Sequence, residues 1–350
     1  MRPLTIIRRS LVTLLIVATA ALSPGCDSVD APPDDLTLRD LAERNNLQIG
    51  TAVEASEVAD RTYADLIRTE FNSLTAGNAM KFGPLRPTIN TFDWTNADAI
   101  VDFAESHRME VRGHTLLWHS QNPSWLINQP WSRAQMIEMM RQHITTVVGR
   151  YRGRVSAWDV VNEAFNEDGT LRSTIWLTRI GPEYIEMAFD FANQADPDAR
   201  LFINEYSAEG RGPKSDAVFN LVSDLRQRGV PVHGVGMQMH VSTSWAPPAA
   251  DVAWNMNRLR ELGVEVHITE MDVRMPLPVT DAKLQQQAQI YREMLDVCLE
   301  ALNCTSFTIW GFTDLHSWIP DHFPGQGAAL IFDEALNPKP AYDALRRALE

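Results

Sequence analysis

The chain has 350 residues, 45% of them hydrophobic and 22% charged, with a formal net charge of −14. That apolar content supports a real core and excludes a disordered chain, and the acidic balance speaks against a nucleic-acid partner, which wants a basic footprint. Ten Trp hint at an aromatic-lined site, whereas three Cys are too few for a disulfide scaffold.

Residues 1–25 carry Arg2, Arg8 and Arg9 and no acid, with an apolar run over 11–22. A basic start followed by about a dozen apolar residues reads as a secretory signal, shorter than the roughly 20 residues a membrane span needs. Ser23-Pro24-Gly25-Cys26 follows. A Cys after a small residue resembles a bacterial lipoprotein box, although Ser23 stands where Leu is preferred. One outcome is a cell-envelope lipoprotein with Cys26 lipidated as its first mature residue. The other is a secreted chain cut nearby, with Cys26 free or removed. Residues 26–36 are acidic and Pro-containing and read as a tether. No second linker or repeat follows, so 37–350 is expected to be one domain. A monomer is expected, touching a membrane only through that lipid.

Short β-rich runs then recur at 47–53, 71–78, 110–119, 155–164, 199–206, 232–240, 264–272 and 306–314, with helix-patterned stretches at 133–149, 182–195, 214–228 and 281–302. Alternating strands and helices in this number predict a (β/α)8 barrel. A doubly wound sheet is the alternative, but no G-x-G-x-x-G turn follows the first strand. Met136, Met139 and Met140 fall at helical spacing and read as core.

Barrel chemistry sits at the strand C-terminal ends. Those ends carry Asn78 and Lys81; His114, Trp118 and His119; Asn162 and Glu163; Asn204, Glu205 and Tyr206; Gln238 and His240; Glu270 and Asp272; and Trp310 and Asp314. Glu163 and Glu270, on the fourth and seventh strands, are expected to face each other across the barrel mouth. Glycosidic hydrolysis needs such a pair, one carboxyl protonated as the acid and the other ionised beneath the anomeric carbon. His119 reads as a core histidine, and so does His114 taken alone. Trp94, Trp125, Trp131, Trp176, Trp245 and Trp254 read as packing or surface. No H-E-x-x-H or Cys/His cluster implies a metal, and no cofactor is expected. Cys298 and Cys304 are six apart, either bridged or two buried thiols.

Gly113-His114-Thr115-Leu116-Leu117-Trp118-His119-Ser120-Gln121, the 158–164 run WDVVNEA, Ile268-Thr269-Glu270-Met271-Asp272 and Trp310-Gly311-Phe312-Thr313-Asp314 with Ser317-Trp318 together resemble glycoside hydrolase family 10 endo-β-1,4-xylanases. The resemblance spans about 40–350. It implies a retaining double displacement on xylan and xylo-oligosaccharides, with Glu163 as acid/base and Glu270 as nucleophile. It implies that His240 and Asp272 orient Glu270 and that Asn162 bonds the sugar 2-hydroxyl. It places Asn78, Lys81, His114, Gln121, Asn204 and Gln238 as further substrate ligands, and Trp118, Trp310, Trp318 and Tyr206 as aromatic walls. Some members carry a Cys pair before the eighth strand, which implies a Cys298–Cys304 disulfide.

Two positions depart from the family pattern. Gly77 stands where Glu commonly precedes Asn78, so the non-reducing arm is expected to bind short chains weakly or to have room for a substituted sugar. Ile319-Pro320 follows Trp318 where Arg is usual, which leaves the shape of the eighth loop open. Competing readings are a β-1,4-glucanase or mixed xylanase/cellulase on the same scaffold, and a surface glycan-binding lipoprotein without catalysis.

Overall fold

The computed structural model describes residues 36–350. The expected signal, the expected tether to its last residue but one, and Cys26 lie outside the described residues.

Eight parallel strands close into a barrel: β1 (Gln48–Val53), β2 (Ser73–Ala76), β3 (Glu110–Gly113), β4 (Ala157–Asn162), β5 (Arg200–Glu205), β6 (Gly234–Met237), β8 (Glu265–Pro276) and β9 (Cys304–Ile309). Each pairs with the next, and β9 closes the ring on β1 with Ile49 opposite Phe307. Two short pieces decorate the rim. They are β7 (His240–Ser242), parallel to β8, and β10 (Gln326–Gly327), antiparallel to its end.

The strands are buried along almost their whole length, as a parallel sheet wrapped by helices requires. The expected helices form at Arg133–Arg150, Tyr184–Ala195, Pro213–Gln227 and Asp281–Glu300. Ser132 and Gln135 cap the first of these reciprocally. It buries Met136, Met139, Met140, His143, Ile144 and Val147, a 3.6-period stripe facing the sheet. Cys298, in the last turn of Asp281–Glu300, is bridged to Cys304 at the start of β9.

The third strand is shorter than the pattern 110–119 suggested. It ends at Gly113, where a cis His114–Thr115 peptide interrupts it, and Leu116 and Leu117 then rejoin β4 by donating their N–H groups to the Asp159 and Val160 carbonyls. Gly113 is needed there because a Cβ would stand 2.1 Å from the Trp158 ring. The seventh strand is longer than 264–272, because β7 and β10 extend its pairing to Pro276.

The barrel interior is polar near its centre. Arg112 forms a two-pronged ion pair with Asp159 and also bonds His267 Nδ1 at 2.9 Å. Fully buried charges need such pairing, and here it ties β3 to β4 and β8.

Candidate active site

A cleft of about 990 Å³ opens over the strand C-terminal ends, and Glu163 and Glu270 both line it. Glu163 follows β4 directly and holds a left-handed φ of 56°. That conformation is uncommon outside Gly and turns the side chain out of the strand's alternation. Its backbone is pinned, its N–H donating to Asn204 O at 2.9 Å and its carbonyl accepting from Arg172 at 3.0 Å.

Three amides link the two acids in series. Gln238 Nε2 lies 3.3 Å from Glu163 Oε1 and 3.2 Å from Asn162 Oδ1. Asn204 Nδ2 donates to that same Asn162 oxygen at 2.8 Å and to Glu270 Oε1 at 2.7 Å. Thr269 Oγ1 donates to Asn204 Oδ1 at 2.7 Å and fixes which way the amide points. Gly236 makes room for it, since a Cβ there would lie 2.1 Å from Asn204 Oδ1.

His240 stands between Glu270 and Asp272. Its Nδ1 is 2.7 Å from Asp272 Oδ2 and its Nε2 is 3.2 Å from Glu270 Oε2. His240 and Asp272 are register partners across β7 and β8. Burial by itself pushes the imidazole down, but Asp272 and Glu270 outweigh it and raise its pKa to about 10. His240 is therefore an imidazolium at neutral pH, aiming positive charge at Glu270.

Glu163 behaves differently from the raised acid that the two-carboxylate reading expects. Burial raises it, yet hydrogen bonds led by that of His119 bring it down to about 2. His119 Nε2 is 2.8 Å from Glu163 Oε2 and the ring stands at the cleft surface, so His119 is not the core histidine its apolar neighbours suggested. The signal that would have found it is its place one residue beyond Trp118, just past the last pairing with β4 at Leu117.

Most of the expected residues meet here. Asn78, Lys81, His114, Trp118, Gln121, Asn162, Tyr206, Gln238, Trp310 and Trp318 all line the cleft. His114 is nearly fully buried, with Nδ1 2.9 Å from Asp159 Oδ2 and 3.8 Å from Glu270 Oε1. Trp318 donates to Asp272 Oδ2 at 2.8 Å, so this wall residue also braces His240. Lys81 Nζ sits 4.9 Å above Trp118 and 5.9 Å from Trp310. Tyr206 accepts from Arg172, and Lys214 covers one ring face at 3.4 Å.

The structure changes the expectations for Asn204, Gly77 and Asp314 and fixes the shape left open at Ile319. Asn204 is no sugar ligand: it is completely buried behind the cleft, its amide taken by Asn162, Glu270 and Thr269. It positions groups that face the cleft. Gly77 opens no extra room, because a Cβ there would stand 2.8 Å from Oε1 of Glu54, which reaches in from the end of β1. Ile319 is buried and starts a short helix, Ile319–His322, directly after Trp318. Asp314 turns away to bond Lys339 at 2.7 Å and serves the fold. Among the described residues, no group of three or more His, Cys, Asp or Glu is arranged to hold a metal ion.

The family model for glycosyl hydrolase family 10 matches residues 37–348. Endo-1,4-beta-xylanase B of Thermotoga neapolitana is 43% identical over 320 residues, covering 90% of this chain and 92% of that protein. Endo-1,4-beta-xylanase of Agaricus bisporus is 41% identical over 298 residues, covering 85% and 89%. The solved structure of xylanase 10B from Thermotoga petrophila RKU-1 in complex with xylobiose superposes with a TM-score of 0.88 at 41% identity, covering 90% of this chain and 97% of that one. A barrel of this topology, two acids joined through one amide relay at its mouth, and a family match from end to end of the described fold agree: the chain belongs to glycosyl hydrolase family 10.

Proposed function

We propose that the protein is a retaining endo-β-1,4-xylanase that cuts internal bonds of xylan by double displacement. The observation that carries this reading is the relay Glu163–Gln238–Asn162–Asn204–Glu270, which holds two carboxylates of different surroundings over one cleft.

In this reading Glu270 attacks the anomeric carbon while the glycosidic C–O bond breaks. Glu163 gives its proton to the leaving oxygen. Water then attacks the glycosyl–Glu270 ester, returning its proton to Glu163 and freeing Glu270. His240, held by Asp272 and Trp318, aims Glu270 and bears positive charge beside it. Asn162, locked by Asn204 and Gln238, meets the sugar 2-hydroxyl. His119 Nε2 stands 2.8 Å from Glu163 Oε2 and holds the acid's carboxyl in place. Lys81, Asn78, His114, Gln121 and Gln238 bind hydroxyls, and the Trp rings pack on sugar C–H faces.

The test is reducing-sugar release from xylan and from carboxymethyl cellulose, with wild type beside Glu270→Ala. Loss of release in Glu270→Ala, with the wild-type product first seen as the β-anomer by proton NMR, supports the reading. Release from cellulose alone moves the substrate to β-1,4-glucan. Binding of either polymer without release leaves a glycan-binding protein. Export fits the basic-then-apolar start, with Cys26 lipidated, and palmitate labelling of wild type against Cys26→Ala checks it. Size-exclusion chromatography checks the monomer.

A further inference from the structure

Glu54 closes β1, the strand end for which the sequence offered no functional residue. It lines the cleft together with Asn78, Lys81 and Gln121. Its Oε1 accepts from Asn78 Nδ2 at 2.6 Å. The other end of that amide is already taken, since Asn78 Oδ1 accepts from Lys81 Nζ at 2.9 Å and from Gln121 Nε2 at 3.1 Å. A carboxylate offers about four lone-pair sites, and Asn78 takes two of them, through its amide and its backbone N–H. In this arm of the cleft the amide therefore has one N–H left to offer a sugar hydroxyl and no acceptor, while the carboxylate keeps acceptor capacity.

The position of Glu54 is built rather than incidental. Its backbone N–H donates to Glu57 Oε2 at 2.7 Å, which anchors the turn into the helix Ala55–Ala59. Its carboxylate fills the volume that a side chain at position 77 would take, since a Cβ on Gly77 meets Glu54 Oε1 at 2.8 Å. Lys81 feels Glu54 together with Glu270 and Glu163, so this arm is electrically continuous with the two catalytic acids.

We propose that Glu54 is a substrate-binding residue of the Lys81 arm of the cleft, accepting hydrogen bonds from vicinal hydroxyls of a pyranose next to the one being cleaved. Two equatorial hydroxyls on adjacent carbons match the bite of one carboxylate, and a charged acceptor makes each bond stronger than a neutral one. The proposal rests on the xylanase reading and names one determinant of its substrate grip. Gly77 is the complement of Glu54, because its missing side chain lets a carboxylate enter from β1.

Aryl β-xyloside and aryl β-xylobioside test it, because only the second places a sugar in this arm. Loss of a charged hydrogen-bond acceptor is expected to lower the xylobioside-to-xyloside ratio of kcat/KM about tenfold or more in Glu54→Ala. Glu54→Gln, which keeps the shape and one acceptor, should lose less. Gly77→Glu alone should also lower the ratio, by crowding two carboxylates, whereas Gly77→Glu added to Glu54→Ala should restore much of it. An unchanged ratio in Glu54→Ala overturns the proposal while the xylanase reading stands. A wild type that cleaves neither xylan nor the xylobioside overturns that reading itself, and with it this one.

Discussion

Nε2 of His119 lies 2.8 Å from Oε2 of Glu163, and this contact leads the set of hydrogen bonds and charges that together outweigh the burial raising the Glu163 carboxyl. Removing the imidazole leaves burial opposed only by weaker partners such as Gln238. In His119→Ala the Glu163 carboxyl is therefore expected to titrate well above its present value of about 2. A ¹³C NMR titration of glutamate carboxyls, assigned with Glu163→Gln, reads this directly. An unmoved Glu163 resonance would remove His119 from its role.

His240 gives a prediction of opposite sign. Its folded pKa, about 10, lies above the ordinary 6.5 because Asp272 and Glu270 favour its charged form against burial. The resulting stability is fully present below pH 6.5 and is lost as pH rises through about 10. The difference in Tm between wild type and His240→Gln should thus shrink steadily across that alkaline window. A difference that stays flat from pH 6 to 10 would contradict a charged His240.

The fully buried amide of Asn204 invites a steric test at a distance. Gly236→Ala places a methyl group 2.1 Å from Asn204 Oδ1. The amide must move, and Glu270 and Asn162 lose their shared donor. We expect kcat to fall by roughly tenfold to a hundredfold, since a misplacement of about 1 Å costs on that order. KM should change little, because Asn204 does not face the cleft. Asn204→Ala should give the same pattern, and a KM effect with kcat intact would instead make Asn204 a sugar ligand.

The Cys298–Cys304 bridge closes a short loop far from the carboxylates. Cys298→Ser with Cys304→Ser is expected to cost about 2 kcal/mol, seen as a Tm lower by several degrees. Specific activity at 25 °C should be retained, and a simultaneous loss of activity would tie the bridge to the geometry of β9 and Trp310.

The barrel and its strand ends were legible because each strand is a short apolar run that breaks on a polar or aromatic residue, and that break is itself the site. Glu163, Glu270 and His240 could be named from the chain for this reason. Glu54 could not. Its meaning depends on the empty side of Gly77, 23 positions further along, and only folding brings the two together. His119 escapes the sequence for a related reason: the apolar run through Leu116 and Leu117 does pair with β4, and only the fold shows that this pairing ends two residues short of the imidazole. Asn204 shows the converse limit. Its strand-end position was evident, but which side of the wall its amide faces is a matter of packing against Gly236 and Thr269.

The pairing of His240 with Asp272 across β7 and β8 has one more implication. These side chains meet because their backbones are ladder neighbours. A slip of a single residue between the two strands would seat His240 opposite Met271 or Val273 and swing it to the other face. The alignment of His240 with Glu270 is thus written into main-chain hydrogen bonds. Inserting or deleting one residue between Met237 and His240 should silence the enzyme while leaving every acid in the sequence intact.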